Sequence, residues 1–358
     1  MPHRYVAVEE LGDPPLAHVL VDGAPRPGSV LVLSHWPGSP TPKALSRDTS
    51  TEIVFAYLHA GSRSTRLARS MRSTVAAGTG AQVVTNDHFD VDGLASVFAL
   101  VDPDAAVRRE ELLVDVATCG DFGVVKSRTA ARVAYSIGPI GDEAADEGAP
   151  EVARHDTAVR APGSGIAYRA VLERAVELLD HPERFRRYWQ MEEDALTASL
   201  DDLRSGAIGI KEDHGADLAV VTRYHEGTGR KSAALHRDAV HSATACSRIL
   251  SFDGDRCEMW LRYESWVRFV SRKVPLRPDL APLGAELGAL EPSGQSWQAD
   301  GVAATTVSLR PPGDGRTGIA PGLVEKTVAA YLCRTPGAFD PWRSGPSLAA
   351  VPGRSVDR

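Results

Sequence analysis

The chain has 358 residues, enough for two domains or one large one with a full core. Its 43% hydrophobic and 24% charged residues are those of an ordinary soluble globular protein, and the net charge of −7 gives no global attraction to long nucleic acid or to anionic membrane. Cys119, Cys246, Cys257 and Cys333 are widely separated without a C-x-x-C spacing, and Met1 to Tyr5 lack a basic segment leading into an apolar one, so a reducing, cytoplasmic setting is expected.

Residues 1–60 read as strands and turns followed by a helix. Ser29–Leu33 is β-branched and apolar, as a buried strand should be, and it places His35 just past a strand end, where it could bind substrate. Asp48 to Glu52 carries cap residues with an acid in the first turn, predicting a helix start before Ile53 whose free amides could receive an anion. A purely structural cap fits the same residues.

The next strand, Ala81–Val84, runs into Asn86-Asp87-His88-Phe89-Asp90-Val91-Asp92-Gly93-Leu94-Ala95-Ser96, three carboxylates and an imidazole within six residues. An apolar helical segment, Leu94 to Val101, follows, so Gly93 marks the switch between periods. Acids at such a strand end lie where open α/β folds bind ligands. If the strand continues to Asp92, Asp90 and Asp92 share a face and can hold one cation, with His88 shifting the choice toward a transition metal. Loops also collect Asp, Asn and Gly for conformational reasons, but burying these groups without a ligand is costly.

His88 to Ser96, the sequence HFDVDGLAS, resembles the first motif of the DHH phosphoesterase superfamily, in the form used by its single-strand exonuclease branch. The resemblance implies a DHH-like parallel-sheet N-terminal domain, in which aspartates hold Mn2+ or Mg2+ for phosphoester hydrolysis. Leu112 to Asp121 is similar to the second motif of that family, read as an apolar strand over 112–117 with Asp115 as a further metal ligand. The similarity runs from Val83 to Lys126; no Asp-His-His triplet follows Asp121, and no Gly-Gly-Gly-His occurs. The His-Phe-Asp-x-Asp-Gly core also resembles an uncharacterised bacterial family, which implies no activity.

Gly141 to Pro150, acidic and free of large apolar residues, predicts a solvated loop. Residues 161–206 read as helices interrupted at His181-Pro182, a connector between an α/β domain at 1–160 and a smaller α+β domain at 207–335. Ile208 to Val221 predicts a hairpin around a polar turn, and residues 233–241 a helix. Lys211, His214, Arg223 and His225 are candidates for a basic, imidazole-rich wall facing an anionic substrate, although unrelated surface positions would read the same. Glu258 to Val270 predicts one long strand, or two around a bulge, whose aromatics pack rather than stack on bases. After Pro336 a loosely packed tail is expected.

Three functions fit. The first is metal-dependent hydrolysis of a small phosphorylated or nucleotide substrate, with Asp90, Asp92, Asp115 and His88 holding the metal and His35, Ser96, Lys211, His214, Arg223 and His225 binding the substrate. The second is metal-independent displacement or elimination of a phosphate or sulfate group, as in a ring-forming synthase, with one of the acids or His88 as general base. The third is ligand binding without turnover. An oligomer or partner protein is compatible with each.

Overall fold

The computed structural model describes residues 2–62, 69–148, 164–224 and 234–343. The fold is α/β and divides into two compact units, one running to Glu193 and the other from Asp194, so the expected connector is shared between them along one helix.

In the first unit, four strands form a parallel sheet in the order β1-β4-β2-β3: β1 (Arg4–Tyr5), β2 (His18–Val21), β3 (Ser29–Leu33) and β4 (Val83–Thr85). β2 is central and buried throughout. Its return to β3 takes only residues 22–28, without the helix that usually bridges parallel neighbours. α1 (Ser50–Ser62) and α2 (Arg69–Gly80) link β3 to β4. After β4 come α3 (Val91–Val101), α4 (Pro103–Val107), α5 (Glu110–Phe122), α6 (Arg128–Gly148), α7 (Ser164–Leu172) and α8 (Ala175–Asp180), then α9 (Arg186–Ser205).

The strand expected at 112–117 is helix α5. Its buried residues Leu113, Val116, Ala117 and Cys119 follow a helical period within a run that looks continuously apolar. Gly141 to Gly148 also departs from the expected loop and continues α6, because Ala and Glu are good helix formers and that stretch needs only one covered side. The break at His181-Pro182 occurs as expected, between α8 and a short 3-10 turn.

The second unit holds a six-stranded mixed sheet in the order β5-β6-β7-β8-β10-β9. β5 (Ile208–Asp213) and β6 (Leu218–Arg223) form the expected hairpin, followed by α10 (Arg237–Ala243), β7 (Arg248–Asp253), β8 (Arg256–Leu261), α11 (Ala281–Leu290), β9 (Gln298–Ala299), β10 (Val307–Arg310) and α12 (Pro321–Arg334). β6 is parallel to β7 and buried on both faces: Leu218 and Val220 join a core under α11 and α12, while Ala219 and Val221 join a second with Val240, Cys246 and Ile249. β8 stops at Leu261, short of the long strand expected, and a 3-10 turn at Tyr263–Ser265 follows. Trp260 and Trp266 are buried core residues, as expected. Beyond Pro336 the chain is docked at least to Phe339, which pairs with the backbone of Arg277 and packs on its guanidinium.

Candidate metal centre

The acids of the first unit converge at the carboxyl edge of its parallel sheet. Asp22 follows the last residue of β2 and bends the chain there at φ 43°, a left-handed conformation that Asp tolerates better than most residues. Buried Asn86, just past β4, holds that bend by donating to the carbonyls of Val21 (3.0 Å) and Asp22 (3.1 Å), while its own carbonyl receives the His88 amide at 2.7 Å. One amide side chain thus aligns two neighbouring strand ends.

The strand does not reach Asp90. That residue is the N-cap of α3, accepting from the Gly93 amide at 2.8 Å, and Asp92 lies in the first turn. Asp92 is fully buried, and its two oxygens accept the backbone amides of Ser50 (2.7 Å) and Thr51 (2.8 Å) at the start of α1. The anion-receiving amides expected from Asp48 to Glu52 are therefore taken by a carboxylate of the protein itself. Beside them, Thr49 and Glu52 exchange the two hydrogen bonds of a capping box.

His35, just past β3, is 1% exposed. Its Nδ1–H donates to the Asp48 carbonyl at 2.5 Å, which turns Nε2 toward Asp22 Oδ1 (3.3 Å), Asp121 Oδ2 (3.4 Å) and Asp92 Oδ2 (3.9 Å). His88 repeats the arrangement: Nδ1 donates to Asp87 Oδ1 at 3.1 Å, and Nε2 faces Asp90 Oδ2 (2.9 Å) and Asp22 Oδ2 (3.4 Å). Arg26 in turn holds Asp87 through Nε and Nη2 at 3.2 and 3.1 Å. Each imidazole is thus fixed through Nδ1 by an oxygen and presents Nε2 to carboxylates, the orientation of metal-binding histidines.

Asp22 is common to both groups. Asp22, His35 and Asp92 bring one ligand atom each within 4.8 Å of one another, and so do Asp22, His88 and Asp90. Among the described residues, five carboxylates here meet two imidazoles and one guanidinium, an excess of acids over bases in a largely buried place. Burial, reinforced by the charge of Asp22, pushes the Asp92 carboxyl up to about 7. Burial and the charge of Asp92 hold Asp121 well above the usual carboxylate range. Burial alone would lower His35, but Asp22, Asp121 and Asp92 together raise it to about 10. Asp92, Asp121 and His35 are thus shifted toward their protonated forms, whereas at Asp22 burial is outweighed by His35 and His88, which hold its carboxyl well below the usual carboxylate range.

A family model described as a family of unknown function, DUF6687, matches residues 1–339, which take in most of both units and every residue of this centre. The chain belongs to that family. No curated protein and no solved structure matches the chain. Among the described residues of this DUF6687 member, no helix is long and apolar enough to cross a membrane.

Several expected site residues lie elsewhere. Asp115 faces away from the centre on α5 and pairs with Lys126 at 3.2 Å; the residue of α5 that joins the centre is Asp121, six positions on and so roughly 120° around the helix. Ser96 is fully buried one turn past Asp92, with its hydroxyl 3.3 Å from Thr51 Oγ1, so it is packed between α1 and α3 rather than presented to substrate.

The basic wall does not form among the described residues of the second unit. Lys211 is paired with Glu325 at 2.6 Å, and Arg223 is buried between Asp202 (3.6 Å) and Asp253 (3.7 Å). Arg223 stands opposite Ile208 at the open end of the hairpin, whereas His214 lies in its turn. His225 falls outside the described residues. Asp22 and Asp121 join the cluster without being among the expected site residues, although Asp22 directly follows the strand His18–Val21, much as Asn86 and Asp87 follow Val83–Thr85.

Proposed function

We propose that this protein is a metal-dependent hydrolase of phosphoesters, acting on a small phosphorylated or nucleotide substrate with two divalent cations in the centre around Asp22. The observation that carries this reading is the shared carboxylate: Asp22 offers one oxygen to His35 and the other to His88, between two separate acid–imidazole groups. Its Oδ2 and Asp121 Oδ2 are sealed from solvent and make no hydrogen bond among the described residues, so both are available as ligand atoms. Carboxylates with two imidazoles fit Mn2+ better than Mg2+, which prefers oxygen alone. The resemblance of His88 to Ser96 to the first DHH motif points the same way.

When bound, such ions acidify water and offset the charge of a phosphoryl group. The chain supplies orientation. Asp92 is locked by two amides, His35 by a carbonyl and His88 by Asp87, so the ligands need little rearrangement. Access is from the His88 side, where the His88 and Asp90 side chains are 27% and 16% exposed while His35 and Asp92 are sealed. Trp36 stands 5.0 Å from the His88 ring at that opening, and the half-exposed Arg26, held on Asp87, is placed to meet substrate charge.

The test is hydrolysis of a generic phosphodiester and of a panel of mononucleotides by the purified full chain with Mn2+. Turnover that disappears in chelator and in Asp22→Asn supports the reading. Hydrolysis unchanged by chelator would overturn the metal dependence, and Mn2+-loaded protein inert toward the whole panel would favour ligand binding alone.

A further inference from the structure

The second unit carries another group of metal-type ligands, of different chemistry. Glu212 at the end of β5, His214 in the turn that follows, and Cys246 just before β7 bring a carboxylate oxygen, an imidazole nitrogen and a thiol sulfur within 4.8 Å of one another. His214 Nε2 is 3.6 Å from Glu212 Oε2. That is too long for a hydrogen bond. It matches the ligand-to-ligand edge of a tetrahedral zinc site, about 3.3–3.6 Å for bonds of about 2.0–2.2 Å.

A second layer of contacts orients the group. Thr244 donates its hydroxyl to Glu212 Oε1, leaving Oε2 for the His214 side, and the same hydroxyl accepts the Cys246 amide at 3.1 Å. One threonine therefore ties the carboxylate of β5 to the backbone of the cysteine some thirty residues on, the kind of outer-shell support that ligand sets require. Cys246 is 3% exposed and packs in the core with Val221 and Ile249, so its place is fixed. His214 is 83% exposed and can close over an ion without disturbing that core.

We propose that Glu212, His214 and Cys246 form a mononuclear Zn2+ site, with water in the fourth position, that clips the β5–β6 turn to the start of β7. The sulfur, nitrogen and oxygen donors suit Zn2+ and Co2+, whereas the oxygen-rich centre of the first unit contains no sulfur. Binding exchanges the Cys246 thiol proton for the metal and releases that proton to solvent. Because the ligand is the thiolate, binding strengthens as pH rises. The proposal is independent of the hydrolase reading.

Co2+ titration of the purified full chain tests it. The expected result is a thiolate-to-cobalt charge-transfer band in the near ultraviolet whose intensity at saturation corresponds to one thiolate-bound Co2+ per chain and which is erased by Zn2+. His214→Ala, at an exposed position, should weaken binding about tenfold or more, and Cys246→Ser should remove the band. Asp22→Asn, which empties only the centre of the first unit, should leave it intact. A wild-type protein without the band, a band that survives Cys246→Ser, an affinity unmoved by His214→Ala, or loss of the band in Asp22→Asn would each overturn the assignment.

Discussion

If Asp22 is shared by two cations, the unfolding temperature of the first unit should respond to divalent metal in a graded way across three proteins. An ion that binds only the folded state at a free concentration a hundredfold above its Kd stabilises by about 2.7 kcal/mol, so two ions contribute roughly 5 kcal/mol. For a unit of this size, each kcal/mol moves the unfolding temperature by about 2–4 °C. Wild-type protein should therefore gain roughly 10–20 °C when Mn2+ replaces chelator. Asp90→Asn damages only the group that contains His88 and should keep about half of that gain. Asp22→Asn damages both groups and should lose nearly all of it. Scanning calorimetry with and without Mn2+, each variant referred to its own chelated baseline, gives the comparison. Equal gains in Asp22→Asn and wild type, or no gain in wild type, would refute the shared-carboxylate reasoning.

The ion-free protein should lose stability as pH rises from about 4 to about 7. Asp92 is held up to about 7 by burial in the folded state, so ionising it there works against folding, at a cost of about 4 kcal/mol that is complete above that pH. His35, raised to about 10, contributes stability that is whole below about 6.5 and fades as pH climbs through 10, so it does not reverse the trend. Thermal scans across this range should show the fall in chelator and its suppression by Mn2+; an ion-free curve that rises between pH 4 and 7 would contradict the assignment. Gly93→Ala places a methyl 2.6 Å from both Asn86 Nδ2 and Tyr168 Oη, so about 2–4 kcal/mol of stability and most Mn2+ affinity should be lost together, measured by calorimetry and metal titration. Asp115→Asn should leave Mn2+ affinity unchanged within twofold, because Asp115 pairs with Lys126 on another side of α5 from Asp121; a tenfold loss would restore it to the centre.

The parts of this centre that could be read in the sequence are those whose signal is local. The Thr49 to Glu52 spacing marks the start of α1 where expected, whereas the period switch read at Gly93 lies two residues inside α3, which begins at Val91. Asp115 and Asp121 show where that reading ends. Leu112 to Ala117 is as apolar as a strand, and only the spacing of Leu113, Val116 and Ala117 over a longer window separates helix from strand. Choosing a strand brings Asp115 to the sheet edge; choosing the helix brings in Asp121. Asp22 was hidden for another reason, since its role depends on the short return from β2 to a parallel neighbour, which no local pattern announces.

The two halves of the centre differ in how firmly they are held, and that difference bears on how turnover would proceed. Around His35 the carboxylates of Asp22, Asp92 and Asp121 are at most 4% exposed, and Asp92 is fastened to the first amides of α1. An ion there would be shut off from solvent by these side chains, so it should exchange slowly and survive dialysis. Around His88 the side chains reach solvent, and Asp90 is held by one amide and the imidazole itself. An ion on that side should exchange quickly and be the one whose concentration controls activity. Protein loaded with Mn2+ and dialysed without chelator should therefore retain about one Mn2+ per chain and regain full activity on adding a second. Retention of no Mn2+ would mean that the sealed group around His35 opens more readily than its packing implies, and retention of two that the His88 side is closed to exchange.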